Sequence, residues 1–563
     1  MSAYCFVKPM NLLINAAEKH QSGDLQRAIG LYRAFLRENA EHAEALNLYG
    51  LCMHELGNFQ EADRLFSSAI KSDPEKSEFY QNRGSARLGM GKNANALADF
   101  EAGLARDPSN FRCLLEAGRI SIDLQEIDNA IKFFEKALAM TEDNESAIVG
   151  LSYSLSLRGL QKTQEKHFDD AIRDLTKALQ LCPETWEILY NLGNAYLKSG
   201  NYQLAQQQYK RALKLNDTNV QLLCNKGISS ERLGAFSEAA VAYKKALVLD
   251  PKNSPAAYNY SLLLLKLGFY EKGLDLYEKR WKTREFKAAK RRLIAPLWQG
   301  DYDLTDKKIL CHAEQGLGDT IQFLRFCTMF DTTKTKVFVQ CDSDLIEIAQ
   351  TMPMQAEFYE TGSELPDYDF HCPLMSLPRA FKYRPDTQKT TKPYLHPCRT
   401  KKKKFDKNFG LRARPRVGLV LEGKPSHVHN HFRSVNAVDF IDFLPNNVNY
   451  FLLQKELSSQ TKALISNRPD VTDLSTTLIN FSDTAAACSN MDLIITVDTA
   501  VAHLAGAIGC PTILLLHYQS DWRWGLETKS SHWYSNMSLI RLKRNGEWQD
   551  IFAEISASIQ AIA

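Results

Sequence analysis

Small, apolar and aromatic positions in the first half of the chain return with a fixed step. Gly50, Gly84 and Gly118 lie 34 residues apart; Ala62, Ala96 and Ala130 keep the same spacing, as do Phe66, Phe100 and Phe134. A second set (Gly193 and Gly227, Ala205 and Ala239, Tyr209, Tyr243 and Tyr277) repeats the step in a frame displaced by seven residues. The displacement predicts an insertion near 157–167, and the phase otherwise runs over 9–281, about eight units. Within a unit the small residues let one helix approach its neighbour and the aromatic fills the gap between them. Pro74, Pro108, Pro183 and Pro251 then close the second helix. The pattern predicts stacked helical hairpins, an α-solenoid.

After Trp281 the phase stops, and residues 282–306 read as a basic connector ending near Pro296-Leu-Trp298. From Lys307 the texture becomes short runs of β-formers: Lys308–His312, Lys336–Gln340, Arg416–Leu421, Tyr450–Leu453, Leu493–Val497 and Thr512–Leu516. Such runs alternating with helical stretches predict two doubly wound parallel sheets, Rossmann-like halves at 307–392 and 416–563. The linker between them, 393–415, carries Lys401-Lys-Lys-Lys404, which reads as a solvated run with no ligand. Two sheets joined in this way leave a cleft at the carboxyl ends of their strands, where nucleotides bind.

Composition narrows the class. With 69 basic and 66 acidic residues in 563, a net charge of +3 and 44% hydrophobic residues, the chain is neither disordered nor basic enough for a dedicated nucleic-acid binder. No apolar run approaches the roughly 18 residues of a membrane span, and the first residues lack the pattern of a secretory signal. The 12 cysteines form no C-x-x-C pair or zinc-spaced cluster. These features predict a cytoplasmic protein without a membrane span, nucleic-acid partner or bound cofactor.

Two motifs fall at predicted strand ends. In Ala313-Glu-Gln-Gly-Leu-Gly-Asp319, Gly316 and Gly318 allow a sharp turn close to a ligand. Asp319 opens the next helix, either as a proton acceptor for an attacking hydroxyl or as its N-cap. In Val497-Asp-Thr-Ala-Val-Ala-His503, Asp498 and Thr499 sit where strand turns to helix and can meet a phosphate. His503 lies one turn inward, as a ligand group or a satisfied core histidine. Trp522 and Trp524 could stack on a sugar or base, or simply pack. Asp342/Asp344 and Asp367/Asp369 match D-x-D spacing, but they read as a helix cap and a loop, and no metal is expected. In the repeats, Asn82, Asn191, Asn225 and Asn259 share one position, where side-chain amides could grip a peptide backbone.

The 34-residue pattern resembles the tetratricopeptide repeat, which implies a protein partner, and its asparagines resemble the ladder inside O-GlcNAc transferases. Residues 296–563 resemble the heptosyltransferase-type glycosyltransferases of family 9, through the two motifs above, His371–Pro378, Arg416–Val420 with Gly423–His427 and Arg433-Ser434, Leu453–Glu456, and Asp521–Trp524. The resemblance implies a GT-B fold after the solenoid and direct, metal-independent displacement with inversion. It implies Asp319 as general base, and donor contacts from Gly316, Gly318, Lys424, Arg433, Glu456, Asp498, Thr499, Ala500 and His503. The family commonly has glycine where Ala500 stands and lysine for its basic residue, so donor identity is not carried over. The combination looks most like bacterial flagellin glycosyltransferases. That likeness implies a nucleotide-sugar donor such as CMP-pseudaminic acid, and a Ser/Thr acceptor on flagellin bound by the repeat groove. Transfer to lipid or polysaccharide, and a non-catalytic adaptor or chaperone, are the alternatives.

Overall fold

The computed structural model describes residues 3–287, 293–388, 392–423, 430–465, 468–544 and 546–562. It divides into two compact units, Met1–Leu233 and Gly234–Ala563.

The first unit is a run of antiparallel helix pairs in which each helix packs on the next. First helices of 13 residues, such as Ser77–Gly89 and Phe111–Asp123, alternate with second helices of 14, such as Asn93–Arg106 and Ile127–Met140. Side chains of Asn110, Asn144 and Asn219 cap first helices by accepting a backbone N–H. Second helices end at Ser72, Arg106 and Leu181, each two residues before a proline. The recurring glycines have a steric cause. A Cβ on Gly50, Gly84, Gly118 or Gly193 would fall 2.6, 2.9, 2.8 or 2.5 Å from the ring of Phe66, Phe100, Phe134 or Tyr209, so the aromatic of the second helix occupies the space a side chain would need.

The extra seven residues lengthen one helix, Glu145–Gln164, to 20 residues. Seven residues are close to two turns at about 3.6 residues per turn, so the buried face is restored after the insertion and the 34-residue phase resumes.

In the second unit, helices Ser254–Lys266 and Tyr270–Tyr277 share one core with a four-stranded sheet through Leu265, Tyr270, Leu274 and Tyr277. That sheet is parallel, with strands β1 (Lys308–His312), β2 (Lys336–Cys341), β3 (Ala356–Glu360) and β4 (Phe370–Pro373) in the order β3-β2-β1-β4. The second sheet is also parallel, in the order β10-β9-β8-β5-β6-β7. Its strands are β5 (Arg416–Val420), β6 (Asn449–Leu452), β7 (Val471–Asp473), β8 (Leu493–Val497), β9 (Thr512–Leu516) and β10 (Met537–Arg541). A helical solenoid followed by two parallel α/β sheets is the architecture the sequence predicts.

The lysine run differs from its reading as a solvated segment. It forms helix Arg399–Asn408, in which Phe405 is buried and Lys401 reaches Glu347 at 2.7 Å and Asp483 at 3.0 Å. Glu347 stands on a helix of the first sheet and Asp483 on a helix of the second, so one ammonium ties both sheets together.

In this array Phe100→Ala removes a fully buried ring and is expected to cost about 3–5 kcal/mol. Because repeats contact chiefly their neighbours, hydrogen exchange should show lost protection in Ser77–Gly89, Asn93–Arg106 and the adjoining pairs only. A loss spread evenly over the first unit would contradict the account.

Candidate functional site

The site is built from two strand-to-helix turns. β1 runs through Ala313–Gln315 into helix Leu317–Leu324, with Gly316 at its N-cap, and β8 runs through Asp498 into helix Ala500–Ile508, with Thr499 at its N-cap. Neither helix has a side-chain cap, so its first N–H groups are not taken up by one. The two helices pack against each other. A Cβ on Gly318 would lie 3.0 Å from His503 Cδ2 and 3.3 Å from Ala500 Cα, a contact that brings both turns to one place. Between them is a cavity of about 630 Å³, lined by the glycine-rich turn, Arg433 and Asn430 after β5, Asp498 to His503, and Asp521 and Arg523.

Its charges are closely paired. Arg523, itself buried, donates to Asp319 Oδ1 at 2.5 Å, to Asp521 Oδ1 at 2.7 Å and to Gln322 Oε1 at 2.7 Å. Burial pushes the Asp319 carboxyl above its usual range, with Arg523 and Arg433 pulling it back in part. Burial also raises Asp498, against Arg433. For Asp521 burial is outweighed by the charge and hydrogen bonds of Arg523, and its carboxyl lies below the usual range. His503 is held well below the usual imidazole range, first by burial and then by Arg523 and Arg325, so it is neutral near pH 7. Its Nδ1 meets the Tyr534 hydroxyl at 3.0 Å, and its ring stacks on Trp524 at 5.2 Å.

Thus Gly316, Gly318, Asp319, Arg433, Asp498, Thr499, Ala500 and His503 converge on one cavity. Lys424 lies outside the described residues. Glu456 does not join them: it is exposed and absent from the lining, and its backbone carbonyl accepts from Gln454 Nε2. Trp522 and Trp524 are buried packing rings rather than an open stacking face; Trp522 lies edge-on to Trp533. Asp342 caps helix Ser343–Ala349, and Asp369 accepts from the Lys308 backbone N–H. Among the described residues no group of three His, Cys, Asp or Glu is placed to hold a metal.

The repeat asparagines make contacts between repeats. Asn82 donates to Asn47 Oδ1 at 2.9 Å, Asn191 to Ser156 Oγ at 3.4 Å, and Asn225 to Asn194 Oδ1 at 2.7 Å and the Tyr190 hydroxyl at 3.4 Å. Each reaches the residue 35 positions earlier, so these amides tie one repeat to the one before it. Asn259 lies partly buried in helix Ser254–Lys266 of the second unit.

Sequence reasoning missed Asp521 and Arg523 as site residues, although both stand in the Asp521-Trp-Arg-Trp524 segment, where the tryptophans drew the attention. It also missed the support of the first turn. Arg280, fully buried in the turn Glu278–Lys282, donates through Nη2 to both oxygens of Glu314, at 2.9 and 3.0 Å, and to Ser376. Burial pushes Glu314 up against the pull of Arg280. Next to it, Gln315 donates to the Tyr277 hydroxyl at 3.3 Å.

Residues 461–546 match glycosyltransferase family 9 (heptosyltransferase), and residues 20–77, 82–145, 159–200 and 186–219 match tetratricopeptide-repeat families. Protein FlbA of Caulobacter vibrioides is 24% identical over 335 residues, 52% of this chain and 52% of FlbA. The chain therefore spans about half the length of this curated relative. A tetratricopeptide repeat protein from Parabacteroides merdae is 20% identical, over 46% of this chain and 98% of that one, with a TM-score of 0.27. YrrB, a repeat protein described as having an unusual peptide-binding site, is 20% identical, over 34% of this chain and 96% of its own, with a TM-score of 0.28.

Arg280→Met leaves buried Glu314 and its neighbour Glu278 without their shared cation and should lower stability by about 3–5 kcal/mol. The double variant Arg280→Met/Glu314→Gln should recover part of that loss in denaturant unfolding, the rest belonging to Glu278. Equal instability of the single and double variants would show that the pair is not the support described.

Proposed function

We propose that this chain, which joins tetratricopeptide repeats to a glycosyltransferase family 9 domain, is a protein O-glycosyltransferase of GT-B type. In this reading it moves a sugar from a nucleotide sugar to Ser or Thr of a protein held by the repeats. The observation that carries the reading is the meeting of two helix N-termini, the partly buried carboxylate of Asp319 and Arg433 around one cavity at the carboxyl ends of both sheets. Helix N-termini favour anions, and the carboxylate is the group a hydroxyl nucleophile needs.

The reaction is one displacement. The acceptor oxygen attacks the anomeric carbon, Asp319 takes its proton, and the bond from that carbon to the phosphate oxygen breaks with its electron pair leaving on the phosphate. A single inversion results. Arg433, the N–H groups opening helix Ala500–Ile508, the Thr499 hydroxyl and neutral His503 are assigned to the departing phosphate, where preorganised donors act most strongly in a water-poor site. Their assignment makes the step one of protein groups alone, without a metal.

The repeats select the acceptor. Acceptor binding is assigned to the repeat surface that carries Asn82, Asn191, Asn225 and Asn259; the first three also donate to the neighbouring repeat, and a side-chain amide has a second N–H and an acceptor oxygen besides. The added solenoid favours a polypeptide over a lipid acceptor, and the architecture favours flagellin, with a CMP-linked nonulosonic acid as a candidate donor.

Asp319→Asn keeps the shape of the carboxyl and removes the base, so transfer should fall by about 10² to 10⁴. The intact mass of flagellin from cells carrying either form, with expression of both confirmed, should lose its ladder of sugar-sized increments in the variant. An identical ladder in both strains would refute Asp319 as the base, and a flagellin without increments in either would refute the acceptor.

A further inference from the structure

Arg523 is more than a neighbour of Asp319. Asp319 and Gln322 stand three residues apart on helix Leu317–Leu324, on one face and one turn from each other. The same guanidinium takes both, Nη2 on Asp319 Oδ1 and Nε on Gln322 Oε1, while Nη1 is held by Asp521 Oδ1. The plane is further fixed over the rings of Trp522, at 4.8 Å, and Phe323, at 5.5 Å. Its backbone is anchored as well, since Trp533 Nε1 donates to Arg523 O at 3.0 Å and the turn Trp522–Trp524 packs on helix Ser254–Lys266. A guanidinium fork suits such a three-way hold in a way that an ammonium does not.

We infer that Arg523 is the positioning residue for the reacting carboxylate, holding Asp319 by Oδ1 so that Oδ2 receives the acceptor's proton. The inference rests on the glycosyl-transfer reading for its chemistry, but the hold itself is a property of the folded protein. Asp319 Oδ2 remains over the glycine-rich turn, 3.7 Å from where a Gly316 Cβ would stand.

The charges around Asp319 give the hold a pH signature. Arg523 and Asp521 face it from the turn after β9, Arg433 from the segment after β5, and Glu314 and the Gly316 backbone from its own turn. Asp498 and His503 line the same cavity from the second sheet. Burial and Asp521 raise the carboxyl, while Arg523 is the largest influence lowering it. Removing that cation moves the titration upward. The base is then ionised only at higher pH, and the acid limb of kcat/KM moves the same way.

The test uses the full-length protein as wild type, Arg523→Gln and Arg523→Lys, with ¹³C-labelled aspartate and the Asp319 carboxyl signal assigned by its loss in Asp319→Asn. The Asp319 midpoint should rise by about one unit or more in Arg523→Gln, with Arg523→Lys between that variant and wild type. Sugar release or transfer should show kcat reduced about 10- to 100-fold in Arg523→Lys with KM little changed. An unshifted midpoint in a folded Arg523→Gln protein would overturn the inference. So would an unchanged kcat in Arg523→Lys, which serves alone if the glutamine variant does not fold. If wild type transfers no sugar while the midpoint shifts as expected, the glycosyltransferase reading fails and the hold on Asp319 stands.

Discussion

The missing side chain of Gly318 is the constraint on which the site depends. A Cβ there would meet Ala500 Cα at 3.3 Å and His503 Cδ2 at 3.0 Å, so the turn after β1 and the turn after β8 leave little room for a side chain between them. That approach sets helix Leu317–Leu324 on helix Ala500–Ile508 and brings their N-terminal N–H groups to the same cavity. A larger residue at 318 would press on Ala500 and His503 at the point where the anionic part of a nucleotide sugar is expected, at an overpacking cost of about 1–3 kcal/mol.

Charge pairs hold this approach in the rest of the second unit, with Arg523 and Arg280 buried and Lys401 partly exposed. Lys401 ties a helix of each sheet, Arg523 joins the turn after β9 to the helix opening at Gly316, and Arg280 joins the turn after helix Tyr270–Tyr277 to Glu314. Such pairs are poor sources of net stability, because desolvation offsets much of their attraction, but they penalise any displacement that leaves one partner alone. Three cations on three different segments therefore favour one relative placement of loops that hydrophobic packing would tolerate in several.

Much of the fold was legible because of where its strands lie. The six strands visible as apolar runs are the six interior strands, β1, β2, β5, β6, β8 and β9, which in parallel sheets are buried on both faces. The four that were not foreseen, β3, β4, β7 and β10, are the four edges; Ala356-Glu-Phe-Tyr-Glu360 carries two exposed glutamates and Val471-Thr-Asp473 is short, so neither reads as an apolar run. The repeats were legible because glycine and aromatic ring must fit each other in every unit, and the phase survived the insertion because seven residues are nearly two helical turns. Asp319, Asp498 and Thr499 were legible because strand ends announce them. Arg523 was not, since its role depends on two residues some 200 positions away on another sheet, and spacing carries no trace of that contact. Glu456 is the converse case: it follows β6 closely in sequence, yet it is exposed and outside the cavity lining.

Glycosyl transfer at this cavity requires nucleotide binding at the two helix N-termini. Hydrogen exchange of the full-length protein, alone and with UDP, GDP, ADP or CMP, reads this directly. One of these nucleotides should slow exchange together in 313–324 and 497–505, the two turns joined at Gly318. No slowing with any of them, or slowing confined to some other part of the chain, would contradict it.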